Sequence, residues 1–132
     1  MKDFKQSHSV KQIGFLDFSA EILTSGHWPY QDAPKCSIPP QLENAKRAFT
    51  DYYKSKFANR EILWLFNHGN CQLQTTYLSK SYQIVVNCYQ TSILCLFNQN
   101  NGTLTYKDIQ EKCQLGDKDL KEAMMRLCNP KT

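Results

Sequence analysis

The apolar positions change period several times along this chain, and the changes mark out its elements. From Phe15 to Thr24, Phe18, Ala20 and Ile22 alternate with Asp17, Ser19 and Glu21, the two-residue period of a half-buried strand. Gly26, Pro29, Pro34, Pro39 and Pro40 then interrupt the chain repeatedly and predict a long surface loop. Pro39 and Pro40 also suit the start of a helix, because a proline in the first helical position forgoes an amide hydrogen that would be unpaired anyway. Behind them Leu42, Ala45, Phe49, Tyr52, Tyr53 and Phe57 recur every three or four residues. The spacing predicts an amphipathic helix ending near Ala58 or Asn59, with Asn59 taking the left-handed cap conformation.

Three β-rich runs follow, Ile62 to Phe66, Cys71 to Leu78 and Tyr82 to Tyr89, separated by His68-Gly69-Asn70 and Ser79-Lys80-Ser81. Short turns between such runs predict an antiparallel meander. Tyr82, Ile84 and Val86 give the last run an apolar face, and the Leu42 to Phe57 helix is the natural cover for it. From Tyr89 to Phe97 the pattern turns helical and strongly apolar, stopping at the polar run Asn98 to Gly102. Thr105 and Asp108 resemble a capping box that opens a short helix through Ile109 and Cys113. Asp117 can cap a third helix, with Leu120, Met124, Leu127 and Cys128 on one stripe and Asn129-Pro130 as its stop. The expected fold class is α+β, a small antiparallel sheet covered by a helix and followed by a three-helix, winged-helix-like segment lacking its wing.

Length and composition narrow the classes without choosing among them. The chain has 132 residues, 41% apolar and 21% charged, the proportions of one globular domain or one domain with part of a second. Its net charge of +4 is spread along the chain, so nucleic acid is not implied as a partner. The first residues lack the apolar core of a signal peptide, and no stretch approaches the about 20 apolar residues that cross a bilayer. A cytoplasmic or nuclear protein without membrane contact is expected.

The six cysteines are not read as a disulfide framework, because no secretory signal accompanies them. No Cys-x-x-Cys pair brings two thiolates to one metal; His68 and Cys71 come nearest, flanking a turn. No nucleophile elbow, phosphate loop, dinucleotide fingerprint or zinc-protease helix is present, and His8, His27 and His68 are far apart. Neither catalytic residues, nor a metal, nor a cofactor is therefore expected. In the C-terminal segment a helix-turn-helix use would make Asp117 to Cys128 the recognition helix. Its Lys118, Lys121 and Arg126 are offset by Asp117, Asp119 and Glu122, so packing or protein binding is the better reading than phosphate contact. The small open sheet carries more promise, because its edges can accept a partner strand.

Several segments, in order and at matching spacing, then resemble the cullin family. Leu23-Thr24-Ser25-Gly26-His27-Trp28-Pro29 resembles the family's strand running into a Gly-x-Trp-Pro turn. Tyr52-Tyr53, Arg60 and Trp64 resemble its Phe-Tyr, His-Ser-Gly-Arg-Lys-Leu-x-Trp pattern, and Tyr89 to Asn98 resembles its Phe-Gln-x-x-Ile-Leu-Leu-x-Phe-Asn helix. The resemblance covers Asp17 to Leu127. It implies that residues 1–14 close a preceding helical bundle or form a disordered lead, that 15–88 are the α/β subdomain, and that 89–132 are part of a winged-helix subdomain.

By the same resemblance the chain is a non-catalytic scaffold of a ubiquitin ligase, whose sheet receives an extended strand of a RING-box protein. That subunit would recruit a ubiquitin-conjugating enzyme, while substrate adaptors bind a distant N-terminal part of the full cullin. Ile22, Leu23, Trp64, Ile84 and Val86 are expected to form or support the strand-binding site; Trp28 is expected to anchor a turn, and Arg60 to pair with an ion or cap. Phe57, Asn59 and Glu61 depart from the family pattern around Arg60. The family's second winged helix, which carries its modification segment, has no counterpart here, so no lysine is expected to be the neddylation acceptor. The alternatives are a cullin-like subunit of the anaphase-promoting complex and a nucleic-acid-binding winged helix.

Overall fold

The structure, a computed structural model, describes residues 17–24, 26–27, 36–99 and 102–129. The expected lead over 1–14 and the turn residue Trp28 lie outside the described residues. Among the described residues, four α-helices and one two-stranded antiparallel sheet make an α+β arrangement. The described residues fall into two compact units, one of residues 17–27 and 40–64, the other of 36–39 and 65–129.

The first unit is organised by helix α1, Pro40–Lys56. Pro40 is its first residue, as its missing N–H allows. Ala45, Ala48, Phe49 and Tyr53 are buried along one stripe, the three- and four-residue period read from the sequence. The helix closes earlier than expected. The Phe57 N–H still reaches the Tyr53 carbonyl at 2.9 Å, and the Arg60 N–H then turns back to the Phe57 carbonyl at 3.1 Å. Asn59 is not in the left-handed region, where Gln114 is the one described residue other than glycine.

Two of the expected strands are absent from the sheet. Residues 17–24 and 61–65 belong to no strand. Over 17–20 and 61–64 a two-residue rhythm of burial persists nonetheless: Phe18, Ala20, Ile62 and Trp64 turn inward and pack on Phe49 and Tyr53, while Ser19 and Leu63 turn outward, and residues 21–24 are all exposed. The aromatic helix thus covers these two segments.

The second unit begins with a 3₁₀ turn, Phe66–His68, followed by β1, Asn70–Gln74, and β2, Gln83–Asn87. The register places Cys71 opposite Val86 and Leu73 opposite Ile84. The strands are shorter than the runs that predict them, because Thr75 ends the ladder with its own side chain. Its N–H donates to the Tyr82 carbonyl at 2.9 Å and its hydroxyl accepts from the Tyr82 N–H at 3.0 Å.

At its other end β2 passes directly into α2, Cys88–Gln99. The Asn87 N–H donates to Gln90 Oε1 at 3.0 Å, and the Gln90 N–H donates to Asn87 Oδ1 at 2.8 Å, the reciprocal pair of a capping box. Within that first turn the Thr91 and Ser92 hydroxyls, both buried, donate to the carbonyls of Asn87 and Cys88.

Helix α2 packs on α3, Tyr106–Cys113, and α4, Asp117–Cys128, as well as on the hairpin. Tyr89, Ile93, Ile109, Cys113, Leu115, Leu120 and Ala123 form the buried core. The capping box of Thr105 and Asp108 opens α3 as its sequence predicts. Gln114, at φ 54°, stops it by donating its N–H to the Gln110 carbonyl, which swings Leu115 into the core. The cap of α4 is Gly116 and not Asp117. Asp117 instead accepts from the Tyr106 hydroxyl at 2.8 Å and pairs with Lys121 at 2.8 Å.

Two residues in this unit test the packing. A Cβ on Gly69 would run into the Cys88 sulfur, so glycine is required there by space, its φ of −81° being open to any residue. Gly69→Ala should cost about 1–3 kcal/mol in urea unfolding, the usual range for overpacking, and Gly69→Ala/Cys88→Ala should recover most of it.

Tyr89 presents the second case, since its buried hydroxyl finds no hydrogen-bond partner among the described residues. Burial, reinforced by the Asp119 carboxylate, pushes its ionisation from 10 up to about 12. The unfolded chain therefore releases this proton first, and stability falls as pH rises from 10 through about 12. Tyr89→Phe should leave stability at pH 7 unchanged or higher by about 1 kcal/mol and should flatten that alkaline limb in pH-dependent unfolding.

Candidate partner-binding site

The inward side of the first unit is an aromatic cluster. The Phe49 ring lies 5.8 Å from Trp64, edge to face, and 5.9 Å from Phe18, with Phe18 and Trp64 6.1 Å apart. Tyr53 stacks on Phe49 at 6.4 Å. The indole of Trp64 is fixed at its polar end as well, donating to Thr50 Oγ1 at 3.3 Å, while the Thr50 hydroxyl donates to the Lys46 carbonyl at 2.7 Å. Such a ring cluster with its one N–H satisfied holds residues 62–64 firmly against α1.

Three apolar side chains of the same segments are open at the surface. Leu63 is 67% exposed, Ile22 56% and Leu23 38%. Ile22, Leu23 and Trp64, three of the residues expected at a partner site, thus stand in one unit, the first two at the surface and the third underneath.

Ile84 and Val86 stand in the other unit, on one strand and two residues apart. Val86 is buried at 7% exposure whereas Ile84 is open, although both point to the same side of β2. Helix α2 starts just beyond Val86 and covers only that end of the hairpin. Within the second unit, α2 is the hairpin's cover. Sequence reasoning missed Leu63, Tyr77, Tyr82 and Val85 as exposed apolar positions. The unbroken run Ile62 to Phe66 was the available signal for Leu63, since a strand with a single covered face alternates.

Arg60 is exposed, and its guanidinium lies 5.0 Å from the centre of the Phe57 ring, a cation–π contact. Among the described residues no group of three or more His, Cys, Asp or Glu could hold a metal ion, and no helix is long and apolar enough to cross a membrane.

Residues 22–132 match the family model of the cullin alpha+beta domain. The chain belongs to the cullin family. Cullin-2 of Arabidopsis thaliana is 36% identical over 118 residues, 89% of this chain, and Cullin-3 of Dictyostelium discoideum is 35% identical over 123 residues, 93% of this chain. Cullin-1 of Dictyostelium discoideum is 35% identical over 120 residues, 88% of this chain. The match covers 16% of the length of each of these relatives, so this cullin segment corresponds to about a sixth of their chains.

Removing the central ring should collapse the cullin segment's first unit while altering the indole bond should only loosen it. Phe49→Ala should cost about 3–5 kcal/mol in chemical denaturation, and Trp64→Phe, which keeps an aromatic ring but drops the N–H bond to Thr50, about 1 kcal/mol.

Proposed function

We propose that this cullin segment is a non-catalytic scaffold piece of a ubiquitin ligase, and that it holds a RING-box subunit by accepting that subunit's extended strand. The observation that carries this reading is the pair of segments 19–24 and 61–63. Ala20 and Ile62 are seated on α1, and both segments lie outside the sheet with Ile22, Leu23 and Leu63 exposed. Backbone in that condition can add a strand, and apolar side chains of the incoming strand can cover exposed residues of these segments. Trp64 supports the site from below. On the hairpin, Ile84 is open and Val86 is buried.

The work such a piece does is positional. A tethered RING subunit would recruit a charged ubiquitin-conjugating enzyme, and adaptors carried elsewhere on a full cullin would bring the substrate. Holding the two together raises the effective concentration of lysine and thioester, with no chemical group of the scaffold taking part. Such a ligase works in the cytoplasm and nucleus.

The test is coexpression with a RING-box protein followed by copurification, alongside duplex DNA binding at several salt concentrations. A stable complex is expected, lost in Ile22→Lys/Leu63→Lys with the melting temperature of the free chain unchanged. Salt-sensitive DNA binding with no RING-box complex would overturn the scaffold reading.

A further inference from the structure

Cys71 on β1 and Cys88 at the first position of α2 bring their sulfurs to 3.9 Å from each other. The approach is built by three features. The register sets Cys71 opposite Val86, on the side of the hairpin that α2 covers. The Cys88 N–H is tied to the Gly69 carbonyl at 3.1 Å, which anchors the start of the helix to the residue just before β1. Gly69 lacks the side chain that would otherwise occupy the Cys88 sulfur's place. The two thiols also differ in access, because Cys71 is half-buried and Cys88 is buried.

We propose that Cys71 and Cys88 form a modification site for hydroperoxides, with Cys71 as the attacked thiol and Cys88 as the resolving one. In the first step the Cys71 thiolate attacks the terminal oxygen of a hydroperoxide. The O–O bond breaks, the sulfur is oxidised to a sulfenic acid, and the alkoxide takes a proton from solvent and leaves as an alcohol, or as water when the oxidant is hydrogen peroxide. In the second step Cys88 gives its proton to solvent and attacks the Cys71 sulfur. The S–O bond breaks, the hydroxide takes a proton and leaves as water, and the disulfide forms. Two thiols and one hydroperoxide thus yield one disulfide, one alcohol and one water.

The environment fits these roles. The contact with Cys88 holds the Cys71 thiol below the usual range against the opposing effect of burial, and the same contact, with burial added, pushes Cys88 up. The Thr91 hydroxyl adds to the lowering at Cys71. Burial raises Cys36, Cys95 and Cys113, so none of those is an equal competitor. Closing the gap from 3.9 Å to a bond of about 2.05 Å is within reach of a side-chain rotation at the more open Cys71. The product would staple β1 to α2.

The experiment treats the full chain with hydrogen peroxide, blocks remaining thiols with iodoacetamide, and maps peptides by mass spectrometry without reduction. Two of the six cysteines should escape alkylation, in one peptide pair linking Cys71 to Cys88, and dithiothreitol should restore both. In Cys88→Ser the reaction should stop at a sulfenic acid that dimedone traps at Cys71. Amide exchange in Asn70–Gln74 should slow on oxidation of the unaltered chain. Linkage of Cys71 to Cys95, linkage between chains, or all six thiols remaining alkylatable after peroxide would overturn the proposal, whatever the outcome of the RING-box copurification.

Discussion

The second unit depends on one junction, the point where β2 becomes α2 without an intervening loop. A strand and a helix place their backbone polar groups differently, and the first helical N–H groups need acceptors from outside the helix. Asn87 and Gln90 meet that need from within the sequence by exchanging side-chain and backbone bonds. The consequences extend in both directions. Helix α2 is held over the end of the hairpin that contains Val86 and Cys71, leaving Ile84 open, and its far side supplies Tyr89 and Ile93 to the core shared with α3 and α4. The hairpin is therefore compact with the helices that follow it.

That junction also explains an unusual local economy of space. Since α2 starts at Cys88, the residue preceding β1 must come close to the helix terminus, and the hydrogen bond from the Cys88 N–H to the Gly69 carbonyl fixes the approach. Only a residue without a side chain fits there, although the backbone angles alone would admit any residue. The buried hydroxyls of Thr91 and Ser92 are absorbed by carbonyls one turn back, so the polar first turn of α2 can sit inside without stranded donors.

The sequence was most legible where a signal is local. The period of α1, the proline at its start, and the Thr105–Asp108 box at the start of α3 all appear where residue type and spacing place them, because each depends only on neighbours within one or two turns. Asn87-x-x-Gln90 is an equally local signal, readable as a cap, yet β-branched and aromatic residues on its N-terminal side made the strand seem to run on to Tyr89. Helix ends were harder. Asn59, which propensity favours for a left-handed turn after α1, does not adopt one, whereas Gln114 adopts it after α3, where Leu115 enters the core. The exposure of Ile84 was not legible at all, since Ile84 and Val86 share a face and only the length of the covering helix separates them.

The strands missing from the sheet follow a different logic. Residues 17–24 and 61–65 have the composition of strands, and Phe18, Ala20, Ile62 and Trp64 are satisfied by the aromatic cluster on α1. A continuous apolar run such as Ile62 to Phe66 belongs to a strand covered on both faces, and a single helix covers one. Within the folded chain the second face has no intramolecular claimant among the described residues, and Leu63 stays largely exposed. Inner and outer residues of one short segment then differ: Ile62 and Trp64 pack on the helix, and Leu63, between them, faces outward.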